Sequence, residues 1–207
     1  LDAAQEPQDL VLTLQAIILL TILALAPSIL VLLTSFTRTV VVLSFTRTAL
    51  GTNQMPPNQV LIGLALFLTL FTMAPVLQEM NTEALQPYLA GELDFRTAGE
   101  RAQEPLRQFM LQHTREKDLQ LFVDMAGGVP PEDYSQVSSQ VLIPAFVISE
   151  LKSAFQMGFV LYIPFIVIDM IVSSVLLSLG MMMLPPMMIS LPLKILLFVL
   201  ADGWHLV

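Results

Sequence analysis

VLIPAFVISELKSAFQMGFVLYIPFIVIDMIVSSVLLSLGMMMLPPMMISLPLKILLFVL, Val141 to Leu200, holds only four charged residues in sixty: Glu150, Lys152, Asp169 and Lys194. A stretch this apolar is buried in lipid or against other protein. Its interruption, GMMMLPPMMISLP from Gly180 to Pro192, divides it into two apolar arms that meet at a loop. Pro185 and Pro186 each lack an N–H and crowd the preceding turn, so the whole break reads as non-helical, with Gly180, Pro185 and Pro186 as its hinge. Five methionines, Met181, Met182, Met183, Met187 and Met188, flank the prolines. Methionine is unbranched and polarizable, so such a cluster can fill an irregular opening without fixing one packed arrangement. The loop therefore reads either as a soft seal or as the apolar cap of a helical hairpin in membrane.

The rest of the chain has the same character. Of 207 residues, 55% are hydrophobic and 13% charged, where a soluble domain has roughly 25% charged. The reading is an all-α membrane protein, with about four long apolar helices arranged as kinked hairpins around one polar, mostly helical insert. Three parts follow: an N-terminal apolar hairpin over 1–77, an acidic insert over 78–140 and a C-terminal apolar hairpin over 141–207. The insert carries eleven of the seventeen Asp/Glu and five of the nine Lys/Arg, and so most of the net charge of −8. No cysteine is present, which excludes a disulfide framework and a thiolate nucleophile. Sparse, unclustered basic residues exclude nucleic-acid binding. The start at Leu1-Asp2-Ala3-Ala4, without methionine, suits a chain whose secretory leader has been removed.

In chain order, Leu10 to Leu33 is 24 residues without a charge, long enough to span, with Pro27 expected to kink it. SFTRT then occurs twice in a short positive connector, at Ser35–Thr39 and Ser44–Thr48. At helical pitch Arg38 and Arg47 fall on opposite faces, one able to meet an acidic partner and the other facing water or headgroups. The pair of motifs is either a repeat or a chance similarity. Gly51–Asn58 is a turn by its Gly, Asn and Pro-Pro content. Val60–Leu77, 18 uncharged residues, barely spans, and Gly63 and Ala65 permit close helix approach. In the insert, Glu104–Met125 reads as one helix, with Leu106, Phe109, Met110, His113, Lys117, Leu121 and Met125 near one face. GGVPPED, Gly127–Asp133, ends it. The insert is either a docking surface for a partner or a solvated helical cap. Arg38 and Arg47 place the first connector and the methionine loop on the cytoplasmic side, and the insert and both termini outside.

A charge in hydrocarbon needs a partner. Glu150 and Lys152 stand two apart, point in different directions and so need other helices or other subunits. Lys194 can meet Glu150 or Asp169, and Asp169 can alternatively bond Ser173. His113 and His205 read as ordinary rather than as parts of a proton relay. The chain has no GxxxxGK[ST] loop, HExxH site or GxSxG elbow, and no enzymatic activity, cofactor or metal site is expected.

Three stretches, PAFVISELKSAFQMGF at Pro144, IPFIVIDMIVSSVLLSLGMMMLPP at Ile163 and LPLKILLFVLADGW at Leu191, resemble the FliP family. So do TSFTR at Thr34, ALGTNQMPPNQVLIGLALFLTLF at Ala49 and PLRQFMLQHTREKDLQLF at Pro105, so the resemblance covers nearly the whole chain. These proteins are membrane components of the flagellar type III export gate, with virulence-secretion counterparts called SctR. The resemblance implies a pentameric ring of copies assembled with FliQ and FliR, and FlhB as a further partner. Together they form a channel in the bacterial inner membrane, within the flagellar basal body, for unfolded export substrates. It implies that Met181, Met182 and Met183 line a closed constriction. It also implies a helical assembly lying largely outside the bilayer plane, against the spanning topology read above. The bare start favours the flagellar branch over the virulence one. The alternative is a scaffold subunit that does not line the pore. The second SFTRT departs from the family pattern beyond Arg47, and the stop soon after Trp204 leaves room for a missing tail.

Overall fold

The computed structural model describes residues 7–52, 54–127 and 136–206, which are helical with no strand among them. The elements are α1 (Pro7–Leu33), α2 (Phe36–Leu50), α3 (Asn58–Met80), a π-helical turn (Asn81–Leu85), α4 (Gln86–Leu89), α5 (Phe95–His113), α6 (Glu116–Met125), α7 (Ser139–Ser178), α8 (Pro186–Leu200) and α9 (Gly203–Leu206). The bare start lies outside the described residues. Of the loop read from Gly127 to Asp133 only Gly127 is described, and its φ of +70° fits its place after α6.

The 40 residues of α7 form a spine about 60 Å long. Its first turns bury Leu142, Ala145 and Phe146 in a core with Met73 of α3, Phe109 and Met110 of α5, Leu119 and Val123 of α6, and Val137. Leu142 and Phe146 have no exposed surface, so each contributes on the order of 2 kcal/mol to holding the insert on α7. Further along, Phe165 packs with Phe198 of α8 and Ala49 of α2. One helix thus joins the insert to the C-terminal hairpin.

Between α3 and α7 lies α2, the stretch read as a connector. It is a 15-residue helix whose Phe36 and Leu43 pack with Leu61 and Ala65 of α3, and whose Ala49 packs toward α7 and α8. Gly158 permits the crossing with α7, because a Cβ there would fall 2.6 Å from the ring of Phe45. Ala65, wholly buried, supplies the close approach expected of the small residues, whereas a Cβ on Gly63 would meet nothing within 4 Å.

Several expectations are revised. Val60–Leu77 is not a barely spanning 18-residue helix; it lies within a 32-residue rod, Asn58–Leu89, that runs through the π-helical turn. Pro27 does bend α1, by 49° between Ala16–Leu25 and Pro27–Leu33. Among the described residues two helices, Asn58–Leu89 and Ser139–Ser178, are long and apolar enough to cross a bilayer, or three if the bent N-terminal pair is one span. The expected fourth, α8, has 15 residues and reaches about 22 Å, short of a hydrocarbon core of about 30 Å. Glu104–Met125 is not one helix. After His113 the backbone turns extended at Thr114 and Arg115. There the Arg115 N–H donates to Ser149 Oγ on α7 at 3.0 Å instead of continuing the helical ladder. This break rotates the buried face, so Leu119 and Val123 are inside while Leu121 and Met125, expected on the packed face, are exposed.

The joint between insert and spine is polar. Asp118 is buried, accepts from Ser149 Oγ at 2.8 Å and pairs with Lys152, while the Arg115 guanidinium donates to Ser153 and Gln156. Burial raises the Asp118 pKa. The hydrogen bonds from Lys152 and Ser149 and the nearby Lys152 and Arg115 charges outweigh that, leaving it below the ordinary 3.8. The stabilisation is therefore complete above that value and is lost as pH falls through the lowered one. Hydrogen exchange of α6 amides should show protection that is constant from pH 7 to about 4 and falls below it. Asp118→Asn should lose about 2 kcal/mol at neutral pH and show no further acid step; an acid step equal to the parent's would assign it to another group.

Candidate functional site

The methionine segment is the tip of the α7–α8 hairpin. Gly180, at φ +74°, ends α7 with its own N–H on the Leu177 carbonyl and the Met181 N–H on the Leu176 carbonyl, the paired bonds of a Schellman cap. Pro185 then takes an extended conformation and α8 restarts at Pro186. The break is thus shorter than Gly180–Pro192. Proline fits the first helical position, where its missing N–H has no intrahelical partner, so Met187, Met188 and Pro192 belong to α8. Every methionine of the tip is exposed, Met183 at 99% and Met182 at 80%. The tip is apolar and exposed, and its α7 root is held by the Schellman cap.

Its stem is fastened by an ion pair: Lys194 on α8 meets Asp169 on α7 at 2.6 Å, and Lys194 is buried. Of the partners weighed for Lys194, the structure selects Asp169, and Asp169 bonds Lys194 rather than Ser173. The Lys194 ammonium also lies against Gly51, at the C-terminal end of α2, where a cation complements the helix dipole. One lysine therefore ties α2, α7 and α8. Asp169 Oδ1 has no hydrogen-bond partner among the described residues.

About five turns back along α7, Glu150 is wholly buried and paired with Arg38 of α2. Lys152 points the other way, to Asp118, so the two neighbouring charges do serve different helices. Arg47 lies on the opposite face of α2 from Arg38 and is part-exposed. Its guanidinium donates to Asn58 Oδ1 at 2.6 Å and to the Pro56 carbonyl, closing the α2–α3 turn. His113 Nδ1 donates to the Phe109 carbonyl at 2.8 Å, and its ring lies tilted against that of Phe109. Asp118, Ser149 and Arg115 were not distinguished by sequence. Asp118 is one of eleven insert acids, and only its burial sets it apart.

The chain is thus of a definite class: an all-helical protein with bilayer-length apolar helices, a projecting apolar hairpin tip and charges paired between helices. The FliP family model matches residues 19–207. The flagellar biosynthetic protein FliP of Bacillus subtilis (strain 168) is 55% identical over 99% of this chain and 93% of its own length. Those of Pectobacterium carotovorum subsp. carotovorum and Aquifex aeolicus (strain VF5) are 52% and 50% identical, each over 96% of this chain and over 77% and 84% of their own lengths. This chain belongs to the FliP family.

The buried pair gives a test of what holds the helices. Arg38→Met leaves the Glu150 carboxylate buried without a cation and should cost about 3–5 kcal/mol, whereas adding Glu150→Met should recover most of that loss. Thermal unfolding in detergent measures both. Additive losses in the double variant would mean that the two residues act separately.

Proposed function

We propose that this chain is a core subunit of the flagellar type III protein export gate. In this reading several copies form a ring with FliQ and FliR in the bacterial inner membrane, and the methionine tips converge to close the channel. The observation that carries it is the tip itself: five exposed methionines on a stem locked by Lys194–Asp169 and a Schellman cap. A rigid stem can place the tip, while the thioether side chains can repack around a passing polypeptide and close again behind it. An apolar constriction of this kind also blocks ions by dewetting when no substrate is present.

Two further observations support assembly and branch. Only 22% of the most apolar window of the Asn58–Leu89 rod, and 17% of that of α7, is buried within the chain. Such faces require lipid or neighbouring helices to cover them. The relatives at 50–55% identity bear flagellar names, which supports the flagellar reading over the virulence counterpart. The insert is read on the periplasmic side. Arg38 contributes less to that orientation than a loop charge would, because it is engaged with Glu150 inside the fold.

Replacing Met181, Met182 and Met183 together by alanine in cells that assemble the complex should raise ion conductance of the membrane while leaving assembly intact. No leak from an intact assembly would move the seal elsewhere and leave the chain a scaffold beside a pore formed by its partners.

A further inference from the structure

The chain has no cysteine, so its twelve methionines hold all of its sulfur. Five of the twelve stand within the eight residues Met181 to Met188, at the α7–α8 tip. All five are exposed, Met183 almost completely. Met73 and Met110 are at the opposite extreme, buried in the core that joins the insert to α7. The exposed methionines outside the tip, Met55, Met125, Met157 and Met170, stand singly in the sequence. Oxidisable sulfur is therefore concentrated at one place on the surface.

Peroxide converts an accessible thioether to a sulfoxide. The sulfur lone pair attacks one peroxide oxygen, the O–O bond breaks and an S–O bond forms, and the second oxygen leaves as water after proton transfer. Sulfur loses two electrons and peroxide gains them, so no other reagent enters the balance. The product is polar and chiral, and its oxygen accepts hydrogen bonds from water. Inside a core this modification disrupts packing. At the tip the backbone is held by the Schellman cap and the stem by Lys194–Asp169, and neither uses a methionine side chain. What changes there is wetting. A constriction that blocks ions by dewetting needs apolar walls, and sulfoxides contributed by each of several copies bind water within it.

We infer that the tip is an oxidation site, at which peroxide converts the five methionines to sulfoxides and thereby opens the closed constriction to ions. The inference rests on the reading above that the tips close a channel. It adds that the tightness of the seal depends on the oxidant present, because the chain places its accessible sulfur where modification alters the opening and not the fold.

The test uses the assembled complex in proteoliposomes, treated with graded hydrogen peroxide and quenched with catalase. Ion conductance, native mass and the sulfoxide content of each methionine by peptide mass spectrometry are read on the same samples. Sulfoxide at Met182 and Met183 should form at doses that leave Met73 and Met110 unmodified. Conductance should rise several-fold in step with it, at unchanged native mass. Leucine keeps the apolar volume without the sulfur, so replacing all five tip methionines by leucine should abolish the peroxide-induced rise above that variant's own baseline. Where five leucines prevent assembly, Met182→Leu with Met183→Leu should lower the rise at equal dose. Unchanged conductance with the tip sulfurs oxidised would overturn the inference. So would an equal rise in the leucine variants, or tip methionines as slow to oxidise as Met73. Failure of the gate reading is distinct: the alanine variant would then show no leak from an intact assembly, with or without peroxide.

Discussion

Glu150 has no exposed surface and lies about three turns into the 40-residue α7, so an ionised carboxylate persists there only where a cation reaches it. Arg38 is that cation. The pairing dictates that α2 lie along α7, and the missing side chain at Gly158 lets it come close enough. Once α2 is fixed, its far end presents Gly51 to Lys194, and Lys194 reaches Asp169. On the other side of the same spine, Lys152 and Ser149 hold Asp118 and with it the insert. A buried pair of this kind adds little net stability compared with an apolar replacement, and its value lies in fixing which helices are neighbours. Register along α7 is thus specified by charge in a protein whose apolar surfaces alone discriminate poorly among partners.

The consequence is a division of labour along one helix. The first turns of α7 bury an ordinary aromatic and aliphatic core with the insert, and its last turns, paired with α8, raise a tip that buries almost nothing within the chain. One helix cap and an ion pair hold the stem in place, while the tip consists of the most deformable apolar side chains available. A seal that must open to a chain of arbitrary sequence requires both properties. Rigidity belongs to the roots and compliance to the methionines, which is the physical basis of the proposed gate.

Much of this was legible in the residues. The helical class, the break at Gly180, the kink at Pro27 and the need of Glu150 and Lys152 for separate partners follow from composition and spacing, because apolar runs and prolines act locally. The failures have a common cause, which is tertiary contact. Nothing local marks α2 as a packed helix rather than a connector; its partner Glu150 is 112 residues away. The break between α5 and α6 depends on Ser149, 34 residues on, and the continuous amphipathic pattern of Glu104–Met125 gives no sign of it. Asp118 looks like any other insert acid until Ser149 and Lys152 close over it. At the methionine tip the difference is one of extent: the second proline does not prolong the break but, at the first helical position, begins the next helix. The family resemblance, carried by long stretches of unusual composition, spoke to membership and not to these contacts.

In the proposed gate the methionine tips of neighbouring copies converge on the channel axis and so lie nearer one another than exposed positions along the apolar rod. Spin labels on a cysteine at position 183, compared with labels at Phe71, which is 83% exposed on α3, report this directly through dipolar distances in the assembled complex. The account predicts shorter distances between copies for the labels at Met183 than for those at Phe71. The opposite order would put the tips at the periphery and contradict the gate.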